Sequence, residues 1–387
     1  MADLSARMDV VFRRNPRAAL RIADLMRKYV ERLRPRGKVV VRVMNFCGTH
    51  EWTTVHYGLR SVIPKEVDMV AGPGCPVCVT PSAYVEATIG LAMSGVRVYT
   101  YGDAYRLPSA RACDDIRSLS DAKAKGGDVK LVYSFLDAVK DASSARAESV
   151  FLGIGFETVF PSYAMLIRNG RLPEGMYFLS SGKLTPPAAR LLMERNIPVD
   201  GVIAPGHVSA VIGAREWEFL PSEYKIPTVV SGFEPIDVLL SVAEILRQLS
   251  REEARVVVEY ARAVSYEGNT MAKNLIKEVF SVRDSQWRGL GVISSSGYCL
   301  NDAYSRCDGA LRFNLKLEDA EASEGIPSGC MCAGVISGVN KPTECPLFMT
   351  ACTPQSPYGP CMVSSEGTCS VWAQHGLQLK KAVETDL

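Results

Sequence analysis

The chain has 387 residues, 47% of them hydrophobic, and its 44 Lys and Arg barely exceed its 42 Asp and Glu. That length and apolar content allow two or three domains with sizeable cores. The near-neutral balance gives no reason to expect a nucleic-acid partner, and no apolar run approaches the ~18 residues needed to span a bilayer, so no membrane association is expected.

Arg13, Arg14, Arg17, Arg21 and Arg27 make the N-terminus locally basic. Their amphipathic spacing predicts the solvated face of an N-terminal helical segment over 1–36. The segment lacks the apolar run and cleavage site of a signal peptide, so the expected compartment is the cytoplasm. From about Gly37 to Leu249, short β-rich runs alternate with Gly- or Pro-marked corners and amphipathic stretches, the pattern of an α/β protein with parallel sheets. The strand candidates are Val39–Phe46, Val67–Ala71, Val96–Tyr101, Val129–Tyr133, Val150–Gly155, Met176–Ser180, Val202–Ala204 and Thr228–Ser231. Eight strands suit two small sheets better than one. The expected fold is therefore two small parallel-sheet α/β domains around a cleft, plus a small C-terminal domain. Lys123, Lys125, Gly126 and Gly127 read as a surface link, which separates a first α/β domain over 37–125 from a second over 126–250. In the last part, 251–387, helices are expected at Glu252–Val264 and Asn269–Phe280.

Eight of the twelve cysteines follow Ser285, in a stretch dominated by Gly, Pro and Ser where strand and helix periods fade. In a reducing compartment such a density points to metal ligation or redox chemistry rather than structural disulfides, and the texture to a small metal-stapled domain. Cys330, Cys332, Cys345, Cys352, Cys361 and Cys369 lie within forty residues. Soft thiolates select an iron–sulfur cluster or zinc. Zinc ribbons usually supply close CxxC pairs, which this segment lacks, and His375 is the only histidine nearby, so iron–sulfur is the favoured reading. Six thiols exceed the four that a cubane needs, and the remaining two suit a dithiol that accepts electrons.

Two further motifs fall at carboxyl ends of expected strands, where α/β proteins place their ligands. Gly72-Pro73-Gly74-Cys75-Pro76-Val77-Cys78 precedes a helix start at Thr80-Pro81, and a thiol there is favoured as thiolate by the helix dipole. Cys47-Gly48-Thr49-His50-Glu51 would project Cys47 from the same sheet edge, with an imidazole three residues on to bind metal or move a proton. Glu157, in Gly155-Phe156-Glu157-Thr158, and His207, in Pro205-Gly206-His207-Val208-Ser209, occupy equivalent corners and are candidate cleft residues. Helix capping accounts for them equally well. Cys113, Cys299 and Cys307 have no metal-like context. No GxGxxG follows a strand and no GxxxxGK[ST] occurs, which disfavours hydride transfer and ordinary nucleotide hydrolysis.

Taken together, CGTHE at Cys47–Glu51, GPGCPVC at Gly72–Cys78, GFET at Gly155–Thr158, PGHVS at Pro205–Ser209 and CTPQSPYGPCMVSSEGTC at Cys352–Cys369 closely resemble HypD, the nickel–iron hydrogenase maturation family. The resemblance runs from about residue 18 to 374. It implies a cytoplasmic scaffold that, with its partner HypC, assembles an Fe(II) bearing carbon monoxide and two cyanides before the iron reaches the hydrogenase large subunit, with HypE as cyanide donor. The family's C-x14-C-x6-C-x16-C spacing falls on Cys330, Cys345, Cys352 and Cys369 as ligands of a [4Fe-4S] cluster. That leaves Cys332 and Cys361 as a redox pair. The resemblance likewise implies Cys47 as the iron ligand, with His50 and Glu51 beside it, and Cys75 with Cys78 as a dithiol in the cleft. The chain departs from the family's usual GFETTxP at Val159 and Phe160, and Cys299 and Cys307 fall where the resemblance implies no thiols. A different reading of the same residues is a stand-alone iron–sulfur thiol–disulfide oxidoreductase, in which Cys47 is incidental.

Overall fold

Short valine-rich runs closed by Gly and Pro corners become the strands of the computed structural model, which describes residues 16–37, 40–111, 115–145, 147–317 and 325–376. All eight expected strands form, close to their expected bounds: β1 (Val41–Asn45), β2 (Val67–Ala71), β3 (Arg97–Thr100), β4 (Val129–Leu131), β5 (Ser149–Gly155), β6 (Met176–Lys183), β7 (Gly201–Pro205) and β8 (Thr228–Ser231). Three more were not expected. The run Val256–Val258 is strand β9 rather than part of a helix, because its three β-branched residues pair with the edge of β8, Val229 opposite Val257. Strands β10 (Phe280–Trp287) and β11 (Gly291–Leu300) form an antiparallel hairpin. Four consecutive residues of β10, Ser281, Val282, Arg283 and Asp284, are exposed, so it carries little of the apolar alternation that marks a half-buried strand. The second expected helix is present at Thr270–Val279, capped by Asn269, whose side chain accepts from the Ala272 amide at 3.0 Å.

The strands make two sheets. One is wholly parallel with order β2-β1-β7-β8-β9. The other has order β10-β11-β6-β5-β3-β4 and is mixed, not purely parallel as expected, because the β10-β11 hairpin adds antiparallel to β6. The sheets cut across the order of the chain. The expected division near residue 125 falls between β3 and β4, which are neighbours in one sheet with Val98 opposite Val129. After β2 the chain leaves to build β3 to β6, then returns with β7 on the other side of β1.

The basic N-terminal stretch is helical over Pro16–Leu33. Ala19, Ala23, Met26 and Val30 face the first sheet's core while Arg17, Arg21 and Arg27 stay exposed. Arg13 and Arg14 lie outside the described residues. The cysteine-rich C-terminal region is not a detached unit. Cys332, Cys352, Cys361 and Cys369 belong to the same core as Phe46, Cys75 and Val77, so the region is packed onto the cleft edge of the first sheet. Among the described residues no helix is long and apolar enough to cross a membrane.

Against β5 and β6 the second sheet carries a cluster of rings. Phe160 is fully buried there and packs on Tyr163, Phe280 and Tyr298 with centroids 5.3, 4.9 and 4.6 Å away. Phe160→Ala is expected to cost about 3–5 kcal/mol in chemical denaturation, through lost burial and an unfilled cavity.

Candidate functional site

In an open parallel sheet a crevice opens where neighbouring strands send their connections in opposite directions. In the first sheet that point lies between β1, which connects outward to β2, and β7, which connects the other way to β8. Cys47 emerges just past β1 and His207 just past β7. In the second sheet the equivalent point lies between β3 and β5, and Asp103 stands just past β3. Residues 364–366 run across both edges. Ser364 Oγ and the Ser365 amide donate to Asp103 at 2.7 and 3.2 Å, and Thr49 Oγ1 donates to Glu366 at 3.3 Å.

These segments meet without side chains between them. A Cβ on Gly48 would lie 2.2 Å from the Glu366 carbonyl oxygen, and one on Gly74 would lie 2.4 Å from the Cys47 amide nitrogen. The Gly48 amide donates to the Gly74 carbonyl at 3.1 Å. The result is a small cavity lined by Cys47, Cys75 and Cys361, with Asn45, Glu366 and Thr368 around them. Three cysteines from three distant stretches of chain line one space.

Cys75 and Cys78 are joined as a disulfide, and both are buried. Cys47 is a free, half-buried thiol at the N-cap of the helix Gly48–His56. Burial pushes it up to about 11 and the Glu366 carboxylate adds to the effect, while the Thr49 and His50 amides pull the other way. At neutral pH it therefore keeps its proton, and a metal ion binding there must displace it. Glu366, itself raised by burial, was not singled out from the sequence. It approaches Cys47 only because the C-terminal segment folds back over β1, and no local pattern marks that. In Glu366→Gln, alkylation of Cys47 by iodoacetamide at about pH 8, read by peptide mass spectrometry, is expected to rise several-fold, since each unit of pKa is worth tenfold in thiolate. An unchanged rate would mean that burial alone governs this thiol.

The C-terminal thiols form one run of contacts. Cys330 is hydrogen-bonded to Cys332, Cys332 to Cys361 and Cys361 to Cys369. Cys352 accepts from the Tyr358 and Gly359 amides at 3.3 and 3.5 Å and feels both Cys330 and Cys345. Its link to Cys332 and burial push Cys330 upward. Cys332 is drawn down by Cys330, but Cys361 and burial together carry it well above the ordinary range. His375 takes no part: its ring nitrogens face Trp52 Nε1 at 3.1 Å and His56 Nδ1 at 3.3 Å. Cys299 lies on β11 near the Ser281 carbonyl and Cys307 is half-buried nearby, both apart from this run. Cys113 lies outside the described residues.

His50 and Glu51 follow Cys47 in sequence but point to other partners. His50 is fully buried, with Nε2 2.9 Å from the Gly232 carbonyl and Nδ1 without a partner. Burial pushes it down to about 4, so it is neutral. It stacks on Phe233, whose ring also meets His207, with centroids 4.7 and 4.0 Å away. Glu51 is a clamp. Its carboxylate accepts from Asn45 at 2.9 Å, Arg60 at 2.8 Å and Trp372 Nε1 at 2.6 Å, which ties β1 to the C-terminal end and fixes Asn45 in the cavity wall.

The family model HypD, described as "Hydrogenase formation hypA family", matches residues 21–376. The chain belongs to the HypD family. It is 38% identical over 378 residues to hydrogenase maturation factor HypD2 of Bradyrhizobium diazoefficiens, covering 94% of this chain and 95% of that protein. It is 39% identical over 345 residues to HypD of Cupriavidus necator, covering 86% and 89%. With HypD of Escherichia coli K12 it shares 36% identity over 375 residues, covering 95% and 98%.

In this HypD-family chain Glu157 does not line the sulfur cavity. It is buried past β5, where Oε1 accepts from the Thr185 amide at 2.7 Å and Oε2 from Thr185 Oγ1 at 2.8 Å, so it caps the helix Thr185–Glu194. Its other side borders a separate cavity of about 600 Å³ with Glu216, Lys273 and Tyr298. Burial pushes Glu157 from 4.5 up to about 7, against its hydrogen bonds to Thr185. A raised carboxyl stabilises the fold below its unfolded value and loses that contribution as pH rises through the folded one. The stability of the wild type relative to Glu157→Gln is therefore expected to fall between about pH 4.5 and about pH 7 in thermal melting, and to be flat above.

Proposed function

We propose that this chain acts in hydrogenase maturation as a cytoplasmic scaffold on which an Fe(II) bearing carbon monoxide and two cyanides is assembled. HypC would be its stable partner, HypE the cyanide donor, and the hydrogenase large subunit the eventual recipient. Relatives that carry the name hydrogenase maturation factor HypD cover almost the whole chain. The observation that carries the reading is the single cavity shared by Cys47, Cys75 and Cys361.

The cargo iron binds Cys47. Its thiol gives up a proton on ligation, and Glu366, the carboxylate that acts on it, is placed to receive that proton. Soft thiolate donation, with a second thiolate from HypC, leaves the iron electron-rich enough to keep strong-field ligands. Glu51 holds the wall through Asn45.

The C-terminal thiols suit the [4Fe-4S] cluster assigned to Cys330, Cys345, Cys352 and Cys369. Cys352 feels Cys330 and Cys345, and Cys369 feels Cys330 and Cys352, so this buried set repels itself once ionised and calls for a compensating cation. Among the described residues no three His, Cys, Asp or Glu side chains are grouped to hold a single metal ion. A cubane spreads its four thiolates over four irons and does not need them to meet. Bound there, it would supply single electrons.

Cys332 and Cys361 can then serve the Cys75–Cys78 disulfide by exchange. A Cys361 thiolate attacks Cys75 across the shared cavity, releasing the Cys78 thiolate. Cys332 next attacks Cys361, forming a Cys332–Cys361 disulfide and freeing Cys75, so two electrons move and the departing thiolates take up the protons lost by the attacking thiols. The same closed disulfide beside Cys361 favours a second reading, a stand-alone disulfide reductase.

In Cys47→Ala, copurified with HypC, the infrared bands of iron-bound carbon monoxide and cyanide are expected to vanish. Unchanged bands would remove Cys47 from the role of iron ligand, and turnover of a disulfide substrate without HypC would select the reductase.

A further inference from the structure

Arg288 lies in the turn between β10 and β11 and is fully buried, with 0% exposure. Its backbone amide donates to the Val79 carbonyl at 2.8 Å, directly after the Cys75–Cys78 loop. Its Nε donates to the Gly325 carbonyl at 2.7 Å and Nη1 to the Pro108 carbonyl at 2.8 Å, while Nη2 has no partner among the described residues. The next residue, Gly289, sits so close to the helix Cys332–Ile336 that a Cβ there would meet Ala333 Cα at 3.3 Å. The charges that act on the guanidinium are, in order, those of Cys332, Cys330 and, more weakly, Glu86. Carbonyl oxygens are its only hydrogen-bond acceptors among the described residues, and no described carboxylate pairs with it.

A buried guanidinium without an anion costs several kcal/mol, and its fork geometry serves best where it meets concentrated negative charge. Among the described residues the anions that act on it are thiolate sulfur first and the Glu86 carboxylate more weakly. We propose that Arg288 is a positioning residue that compensates the charge of the C-terminal sulfur centre, its free Nη2 donating to thiolate sulfur at Cys330 or Cys332 once those thiols are ionised. The inference rests on reading Cys330 as a cluster ligand and Cys332 as the redox thiol next to it. Its consequence is that the metal-loaded, anionic form is stabilised and that adding an electron to it is easier than it would be beside a neutral side chain.

The test uses full-length protein purified without oxygen, as wild type, Arg288→Met and Arg288→Lys. Iron and sulfide are measured, and the cluster is titrated with dithionite under electron paramagnetic resonance. Arg288→Met is expected to keep a cluster but to be at least tenfold harder to reduce, about 59 mV lower for a one-electron couple. Arg288→Lys, which keeps the charge, stays near the wild type. A cluster in Arg288→Met at the wild-type potential overturns the proposal, since a merely structural role would change the melting temperature alone. If Arg288→Met does not fold, Arg288→Gln, which keeps amide donors for the Pro108 and Gly325 carbonyls, decides by the same criterion. If the wild type holds no cluster, the cluster reading fails by itself. Cd(II) titration of the thiolate absorption band then tests Arg288: binding about tenfold weaker in the neutral variant supports the role, and equal binding ends it.

Discussion

Everything at the cleft depends on backbone meeting backbone around Cys47. Gly74 packs on the Cys47 amide and Gly48 packs on the Glu366 carbonyl, both at distances that leave no room for a methyl group. Protein interiors do not yield by half an ångström without cost, so these contacts hold three chain segments in a fixed relation. They also decide which side chains reach the cavity: Cys47, Cys75 and Cys361 do, whereas the adjacent His50 and Glu51 are turned toward Gly232 and Trp372.

Electrostatics follow from that packing. Burial keeps several groups around the cleft uncharged: the Cys47 thiol in the cavity wall, the His50 ring turned toward Gly232, and the Cys332 and Cys361 thiols. The buried charges that remain are tied down, Glu51 by three donors and Arg288 by two carbonyls. A soft cation entering such a site gains thiolates only by displacing protons, which couples metal affinity to pH and to any partner that alters burial. The half-satisfied guanidinium of Arg288, on which Cys332 and Cys330 act, carries positive charge toward the sulfur region.

The sequence was readable where a signal is local. Eight strands, the helix beginning at Thr270 and the corner positions of Cys47 and Cys75 follow from β-branched runs, caps and glycine placement. It misled where a signal was weak or shared. Val256–Val258 sat within a helix-like apolar spacing, and the β10-β11 hairpin is too exposed to show alternation. Glu157 looked like a cleft residue because it follows a strand, yet it caps a helix and borders another cavity, an outcome that corner position alone does not separate from the first.

By itself the sequence determined the α/β class, the strand edges at which cysteines emerge, the thiol-rich character of the C-terminal region and the resemblance to HypD, because each is carried by neighbouring residues. Only the tertiary structure decided that the two sheets interleave along the chain, that residues 364–366 bridge both sheet edges, that Glu366 stands over Cys47 and that Arg288 is buried against the thiols. Those relations join residues far apart in the chain, and they are set by strand order and by which backbones can touch, quantities that no local pattern of residues encodes.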